Sequence, residues 1–558
     1  MASSLISRVR WLFDVFSSAT SRYCPDVMLR ITAAFLAAVR SLARSTSIIQ
    51  RILTSWYIRI IRESHVGGRP SGKSLDIFAD DVEQLLGEIL DPQKLLRLSV
   101  GLQRQFQKAL RSDARCMLPS YNHQLPHGKE RGTYLALDVG GSTFRVALVE
   151  LLGSKENGTG IKLDALKSYK INDTIKQLKG EAFFDWMAGK IEETISGHTH
   201  GPKDGVLSMG LAWSFPIEYY NTDPTYQLYA DICRQTSLRS GLMLGMGKGF
   251  LASHGLLGKD LGDLIQQACA RKDLKVQLNA IVNDSSATML STAYSDPSTR
   301  YGLILGTGVN IAVHLPVGVF TSEKFGVRPS SWHDAAKHVI VNTELGMFGK
   351  GLLPMTRWDT HLNATHILPD FQPFEHLVSG RYLGEIARLI LLDGIRDVNL
   401  LNGEVPPSLE QPYSLDTALL AHIQSSSTYR EARDIFYTSH PTSKLPTESD
   451  IRILRSIAVA VSERACAILA AAIHALWQLR NEAENGAAHL KDHTVMACNG
   501  SVIQNYPGFR TTCQNYLNML VEMTGGSVGS LELTSTIESS LLGAAVAVAC
   551  VDDEKAEA

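Results

Sequence analysis

No two of the eight cysteines stand at CxxC spacing: Cys24, Cys116, Cys233, Cys269, Cys466, Cys498, Cys513 and Cys550 are scattered through 558 residues. This excludes the usual zinc-site and redox-motif spacings and argues against a disulfide framework. Dispersed thiols suit a reducing compartment, where they pack as small hydrophobes, so a cytosolic, cytoplasmic body is expected. An excess of one charge is also missing. Lysine and arginine total 54 against 56 acids, a formal charge of −2, so nothing recommends nucleic acid as a partner. GxxxxGK[ST] is absent, which closes the P-loop route to nucleotide phosphates. There is no short-period repeat or low-complexity tract. What remains is ordinary globular material, 44% hydrophobic and 20% charged, long enough for three or four units of roughly 150 residues.

Residues 1–65 are of a different kind, with nine arginines, no lysine, and only Asp14, Asp26 and Glu63 as acids. Such composition marks a mitochondrial presequence or a basic surface-binding helix, and equally a simple extension outside the fold. Its apolar stretches are too short to cross a bilayer, so membrane contact, as on a mitochondrial surface, is open to this extension alone. From Leu75 to Ala114, apolar residues at helical spacing predict two surface-packed helices. Pro119 and Pro126 bracket an irregular lead into a strand at Thr133–Val139. Further β-rich runs at Ala147–Leu152, Gly205–Ser214, Leu278–Val282, Tyr301–Leu305 and Asn310–Leu315 sit among helical segments, which indicates α/β layering. Ile451–Leu479 is apolar all round and predicts a helix buried on most faces.

Leu135–Arg145 reads LALDVGGSTFR, an apolar strand ending in an acid, then two glycines and two hydroxyls. Glycines admit a phosphate close to the backbone, and adjacent N–H groups with hydroxyls form an anion cradle. A hairpin turn uses the same residues. ILGTGVN (Ile304–Asn310) and MACNGS (Met496–Ser501) repeat the pattern. Three such turns, far apart in the chain, suit a nucleotide clamped from two sides. In IVNDSSAT (Ile281–Thr288) an apolar strand ends in Asn283 and Asp284. A carboxylate there can take the proton of a hydroxyl that attacks a held phosphate in line; a plain helix cap uses the same residues.

In this order the segments resemble the hexokinase family of the actin-like ATPase superfamily, from roughly Leu75 to Val551. GLAWSFP (Gly210–Pro216) and GKGF (Gly247–Phe250) look like its sugar-binding elements, as do VNTELGMFG (Val341–Gly349) and FEHLVSGRYLGE (Phe374–Glu385), while NGSVIQNYPGF looks like its second phosphate turn. The resemblance implies an α/β, two-domain actin-like (ribonuclease H-like) fold with the ligand cleft between domains. After the extension, 1–73, it implies helices over 74–129 packing on the large domain, a small domain over 130–290, a large one over 291–551, and an acidic tail at 552–558. ATP and Mg²⁺ are the implied cofactors and a hexose or amino sugar the partner. Asp284 would be the base for the C6 hydroxyl, and Lys248 would steady the sugar and the transferred phosphoryl group. Ser214, Phe215, Gly247, Asn283, Asn310, Glu344 and Glu375 would complete the sugar pocket. Asp138, Gly140, Gly141, Ser142, Thr143, Thr288, Gly306, Thr307, Gly308, Gly500 and Ser501 would hold phosphates, with Asp138 reaching magnesium through water. Ser540 and Gly543 fall at the adenosine side, where helix packing accounts for them equally, and Arg145 reads best as a salt-bridged strand-end residue.

Four departures stand out against the glucose-phosphorylating pattern. Gly247 stands for Thr, Gly141-Ser142-Thr143 for Gly-Thr-Asn, Leu345 for Trp after the pocket glutamate, and Asn499 for Asp in the second phosphate turn. The combination looks similar to fungal N-acetylglucosamine kinases, and lost bulk at 247 and 345 suits an acetamido group on C2. The expected activity is therefore ATP-dependent phosphorylation of a hexose C6 hydroxyl, with N-acetylglucosamine ahead of glucose, fructose or mannose entering glycolysis. A catalytically silent sugar sensor is the alternative from another class. Tyr219–Arg234 reads as an insertion between two sugar-contacting elements, and a monomer or weak dimer is expected.

Overall fold

The computed structural model describes residues 74–153, 160–196, 205–213, 234–243, 250–325, 328–484 and 492–557, with the backbone alone at 234–236 and 552–557. The arginine-rich extension and all but the last residue of the Tyr219–Arg234 stretch lie outside them. Two sheets organise the chain. In β2 (Arg131–Val139), Leu135, Leu137 and Val139 alternate with Tyr134 and Ala136, and each set is buried in a different core. A strand apolar on both faces must be covered on both, as in a central strand of a layered α/β sheet. It pairs antiparallel with β3 (Thr143–Leu152) and parallel with β5 (Leu207–Trp213). Outer strands β4 (Ile161–Lys170) and β8 (Val276–Asn283) complete the order β4-β3-β2-β5-β8. Glu181–Ile195 and Leu261–Ala270 cover one face with Phe183, Phe184, Leu261 and Leu264.

The other face presents Ala136, Ala147, Ala212 and Ala280, and its small side chains admit two close helices, Asp284–Ala293 and Ser539–Glu557. The expected extent of the second domain, 291–551, is therefore corrected at its end. The helix Ser539–Glu557 packs on β2, β5 and β8 of the first sheet, because Leu541, Ala544 and Val548 join the core of that alanine face. The helix also runs through most of the expected acidic tail. Gly543 is where the two helices touch: a Cβ on it would stand 1.9 Å from the carbonyl oxygen of Ala287. Alanine is favoured over glycine by about 1 kcal/mol in a helix, yet such an overlap outweighs it. Gly543→Ala is expected to destabilise the protein by about 1–3 kcal/mol, read as a lowered urea midpoint.

The second sheet has the order β1-β11-β10-β9-β12-β13, from β1 (Leu118–Pro119), β9 (Thr299–Leu305), β10 (Val309–Pro316), β11 (His338–Asn342), β12 (Thr494–Asn499) and β13 (Leu531–Ser535). A short hairpin, β6 (Arg234–Ser237) with β7 (Ser240–Leu242), belongs to neither sheet. The long apolar helix runs from Glu448 to Ala483, started by a capping box between Thr447 and Asp450. It is buried on most of its faces, as its composition predicts. Leu75–Gly87, capped by Ser74, and Pro92–Ser112, capped by Asp91 with proline in its first turn, pack against it.

Candidate active site

Strand β8 delivers Asn283 and Asp284 to its C-terminal edge. The helix cap is Asn283, not Asp284: its Oδ1 accepts from the Ser285 backbone N–H at 2.9 Å and from Ser285 Oγ at 2.6 Å. Asp284 is the first residue of the helix, and its Oδ1 also accepts the Ser285 N–H, at 2.8 Å. The carboxylate thus stands at the first turn of a ten-residue helix, where the backbone N–H groups point out of the helix end.

The second sheet supplies the facing groups. Asn310 Nδ2 donates to Asn342 Oδ1 at 2.8 Å and reaches Asn283 Oδ1 at 3.4 Å, linking the two sheets. Asn342 Nδ2 in turn donates to Glu344 Oε1 at 2.9 Å. Glu344 adopts left-handed backbone angles (φ 53°, ψ 52°), an uncommon state for glutamate that turns its side chain off the end of β11. Glu375 lies in Pro373–Val378 and accepts the Val309 N–H through Oε2 at 3.0 Å. Gly308 makes room for it, since a Cβ there would come within 2.6 Å of that oxygen. Burial pushes the Glu344 carboxyl up to about 7; the charges of Asp284 and Glu375 add to the rise, and the Asn342 hydrogen bond opposes it. Three amides and Glu344 are thus linked by hydrogen bonds, with the charges of Asp284 and Glu375 felt at Glu344, which is donor and acceptor chemistry suited to a polyhydroxyl ligand.

Beside them opens a cavity of about 290 Å³, at the lower end of ligand-sized pockets. Trp213, Ile281, Asn283, Ser286, Asn342 and Glu344 line its inner wall. Its outer wall comes from residues within 111–122 and 323–328. Arg328 ties these stretches together, donating to the carbonyls of Pro119 and Ser120 at 2.8 and 2.7 Å and lying 4.1 Å from the Trp332 ring centre. Leu345, by contrast, is fully buried in the core of the second sheet, so its size does not set the room in this cavity.

On the phosphate side, Gly140–Thr143 form a hairpin turn between β2 and β3, closed by Gly140 N–H to the Thr143 carbonyl at 2.9 Å. The hairpin reading of that segment is the one the backbone shows, and the turn leaves Ser142 exposed. Gly306, Thr307 and Gly308 form the β9–β10 turn, with Thr307 exposed. Gly306 abuts Gly500 and Ser501: a Cβ on it would be 3.4 Å from the Ser501 nitrogen. Asn499 explains itself there, accepting the Gly500 N–H at 2.7 Å and donating to Ser539 Oγ at 2.6 Å, a donation that aspartate cannot make.

Three residues expected on the phosphate or adenosine side are packed against neighbouring elements. Thr288 is fully buried inside its helix, with its hydroxyl 2.9 Å from Ser539 Oγ. Ser540 is buried, and Gly543 is the helix contact already described. Asp138 is also nearly buried, and Arg145 binds its Oδ2 through both Nε and Nη2 while reaching Glu538 through Nη1 at 2.6 Å. Arg145 is thus the salt-bridged strand-end residue expected. A single carboxylate so engaged fits a magnesium ion that arrives on nucleotide phosphates and is met through water, rather than one gripped directly by several acids. Among the described residues no cluster of three metal-ligating side chains occurs.

Ser214, Phe215, Gly247 and Lys248 fall outside the described residues. Asn342 is the site residue that the sequence reading passes over. Its signal was present: Asn342 and Glu344 stand two apart where a strand ends, a spacing that can turn both side chains the same way.

Two family models, both described as Hexokinase, match residues 82–226 with 230–294 and residues 300–550. Hexokinase-2 of Candida albicans is 27% identical over 503 residues, 88% of this chain and 97% of the relative. Hexokinase-1 of Saccharomyces cerevisiae is 28% identical over 448 residues, 79% and 85% of the two chains. The solved hexokinase from Schistosoma mansoni complexed with glucose aligns with a TM-score of 0.68 at 25% identity, covering 85% of this chain and 99% of its own. With both sheets matched and family models spanning most of the sequence, the chain belongs to the hexokinase family and is a sugar kinase, a phosphotransferase with an alcohol group as acceptor.

Proposed function

We propose that the chain transfers the γ-phosphoryl group of ATP to the C6 hydroxyl of a hexose, with Asp284 as the base. The observation that supports this reading is the place of Asp284 at the first turn of its helix, next to Asn283 on the cavity wall and near enough to Glu344 for its charge to be felt there. The hydroxyl oxygen bonds to phosphorus as its proton passes to Asp284, and the bond from phosphorus to the bridging oxygen breaks, releasing ADP. Asn283, Asn310, Glu344 and Glu375 hold the sugar's other hydroxyls, and the turns at 140–143, 306–308 and 500–501 hold the phosphates. Magnesium arriving with ATP would be met by Asp138 through water and would supply charge neutralisation to the phosphates.

N-acetylglucosamine and glucose are the two acceptors to compare. Leu345 is buried in the core, so the preference for the acetamido sugar rests on Gly247; the glucose named with the Schistosoma structure favours the plain hexose. A coupled ADP-release assay over glucose, mannose, fructose and N-acetylglucosamine, with the product's phosphate placed by NMR, is expected to show sugar-dependent turnover at C6. Sugar binding without turnover would leave the silent-sensor reading, and ATP hydrolysis indifferent to sugar would sink both.

A further inference from the structure

The amides beside Glu344 have a defined polarity. Asn310 Oδ1 accepts the backbone N–H of Ile311 at 2.8 Å, and a backbone N–H can only donate. That fixes which end of the Asn310 amide is oxygen, a choice that otherwise depends on the hydrogen-bond network. Its Nδ2 must therefore be the group that faces Asn342 Oδ1 at 2.8 Å, and Asn342 Nδ2 the group that faces Glu344 Oε1 at 2.9 Å. The Glu344 backbone N–H, 3.3 Å from Asn342 Oδ1, confirms the order. The series runs in one direction, from Ile311 through Asn310 and Asn342, and ends as a donor to Glu344 Oε1.

The other two carboxylates are held differently. Asp284 accepts the Ser285 N–H and Glu375 accepts the Val309 N–H. Main-chain donors cannot turn away, so these two side chains are fixed in place by the backbone. Glu344 is held by a side-chain amide on one oxygen, and burial together with the charges of Asp284 and Glu375 raises its carboxyl, so a proton is assigned to it. Among the described residues Arg111, Asp113, Glu323, Lys324 and Arg328 line the same cavity as Glu344, and the Cys116 thiol, pushed up to about 12 by burial and therefore uncharged, lies close enough to feel its charge.

We infer that Asn342 is a positioning residue: by donating to Oε1 it confines that proton to Glu344 Oε2, where it is presented to the sugar, so that sugar binding takes up a proton. This rests on the sugar-kinase reading above. Covering the site excludes water and raises the cost of a third negative charge, so the bound state holds the proton more firmly than the free one. Affinity is then constant below the free-state value for Glu344, about 7, and falls by up to about tenfold per pH unit above it.

The test is titration calorimetry of glucose and of N-acetylglucosamine into the full chain at pH 6, 7, 8 and 9, each in two buffers of different ionisation heat. Uptake approaching roughly one proton per sugar at pH 8 is expected, with little at pH 6. Asn342→Leu is expected to raise the sugar KM about tenfold with kcat nearly unchanged. It also moves the midpoint of the affinity profile to higher pH, because the lost hydrogen bond favoured the charged form. A purely structural role would not move that midpoint. Glu344→Gln, which carries N–H where the acid carries its proton, abolishes the uptake and flattens the profile, and it decides the matter should Asn342→Leu fail to fold. Sugar binding with no proton exchange from pH 6 to 9, an unmoved midpoint in a folded Asn342→Leu protein, or uptake surviving in Glu344→Gln overturns the inference while leaving the kinase reading intact. Failure of the unmutated chain to bind either sugar overturns both.

Discussion

Replacing Asp284 by asparagine is expected to lower sugar-dependent ADP formation by about two to four orders of magnitude. Asparagine has the same shape, and its Oδ1 can still accept the Ser285 N–H, so the helix start and the sugar's surroundings are kept. What is lost is the ability to accept a proton as the C6 oxygen bonds to phosphorus. The effect should therefore fall on kcat, with sugar affinity at pH 6 altered only a few-fold. A second readout ties this variant to the carboxylate cluster. The Asp284 charge helps to raise the Glu344 carboxyl, so its removal should shift the sugar-affinity profile to lower pH. Steady-state kinetics across pH 6 to 9 measures both. A variant retaining more than about a tenth of the original kcat would remove Asp284 from the role of base.

How much of this site could be read beforehand depends on whether its residues sit where local pattern changes. Asn283 and Asp284 were legible because an apolar strand period stops there and a helix begins, and the glycine turns because no other residue pattern ends a strand so abruptly. Thr288, Ser540 and Gly543 are hard to read from sequence for a definite reason. A run of small residues looks the same whether it opens onto a ligand or receives a neighbouring helix, and only the partner, Ala287 against Gly543 and Ser539 against Thr288, distinguishes the two. The final helix posed the same difficulty on a larger scale. Its apolar composition was evident, but its place on the first sheet depends on pairing with strands more than 250 residues earlier, which no local period encodes. Leu345 shows the converse. Its place after the pocket glutamate suggested room for an acetamido group, yet the left-handed backbone at Glu344 separates the directions of the two side chains, and Leu345 turns into the core.

The largest effect on stability is expected at a site that the chemistry does not touch. Arg464, on the long helix, and Asp359, in Arg357–Thr365, are each about 1% exposed at their side chains and form a two-bond pair at 2.7 and 2.8 Å. Asp359 also closes a capping box by accepting from the backbone and hydroxyl of Thr356 at 2.7 and 2.6 Å. Arg464→Met leaves that carboxylate buried without its cation, and removal of one partner of such a pair costs about 3–5 kcal/mol. The pair itself adds far less, because both ions were taken out of water to form it. Arg464→Met combined with Asp359→Leu should therefore recover most of the loss, short of about 1 kcal/mol for the missing cap. Burial alone would raise the Asp359 carboxyl, but the Arg464 charge and the hydrogen bonds from Arg464 and Thr356 carry it below its usual value. A carboxyl depressed in the folded state contributes stability that is present above its unfolded value, near 4, and lost as pH falls through the lower folded one. Urea midpoints at pH 7 for the single and double variants, and their approach to one another below about pH 4, test the argument. Although the helix carrying Asp359 adjoins Pro373–Val378, where Glu375 lies, neither ion of the pair is assigned a part in the chemistry, so kcat measured well below the melting temperature should change little in the double variant, separating a scaffold role from a chemical one.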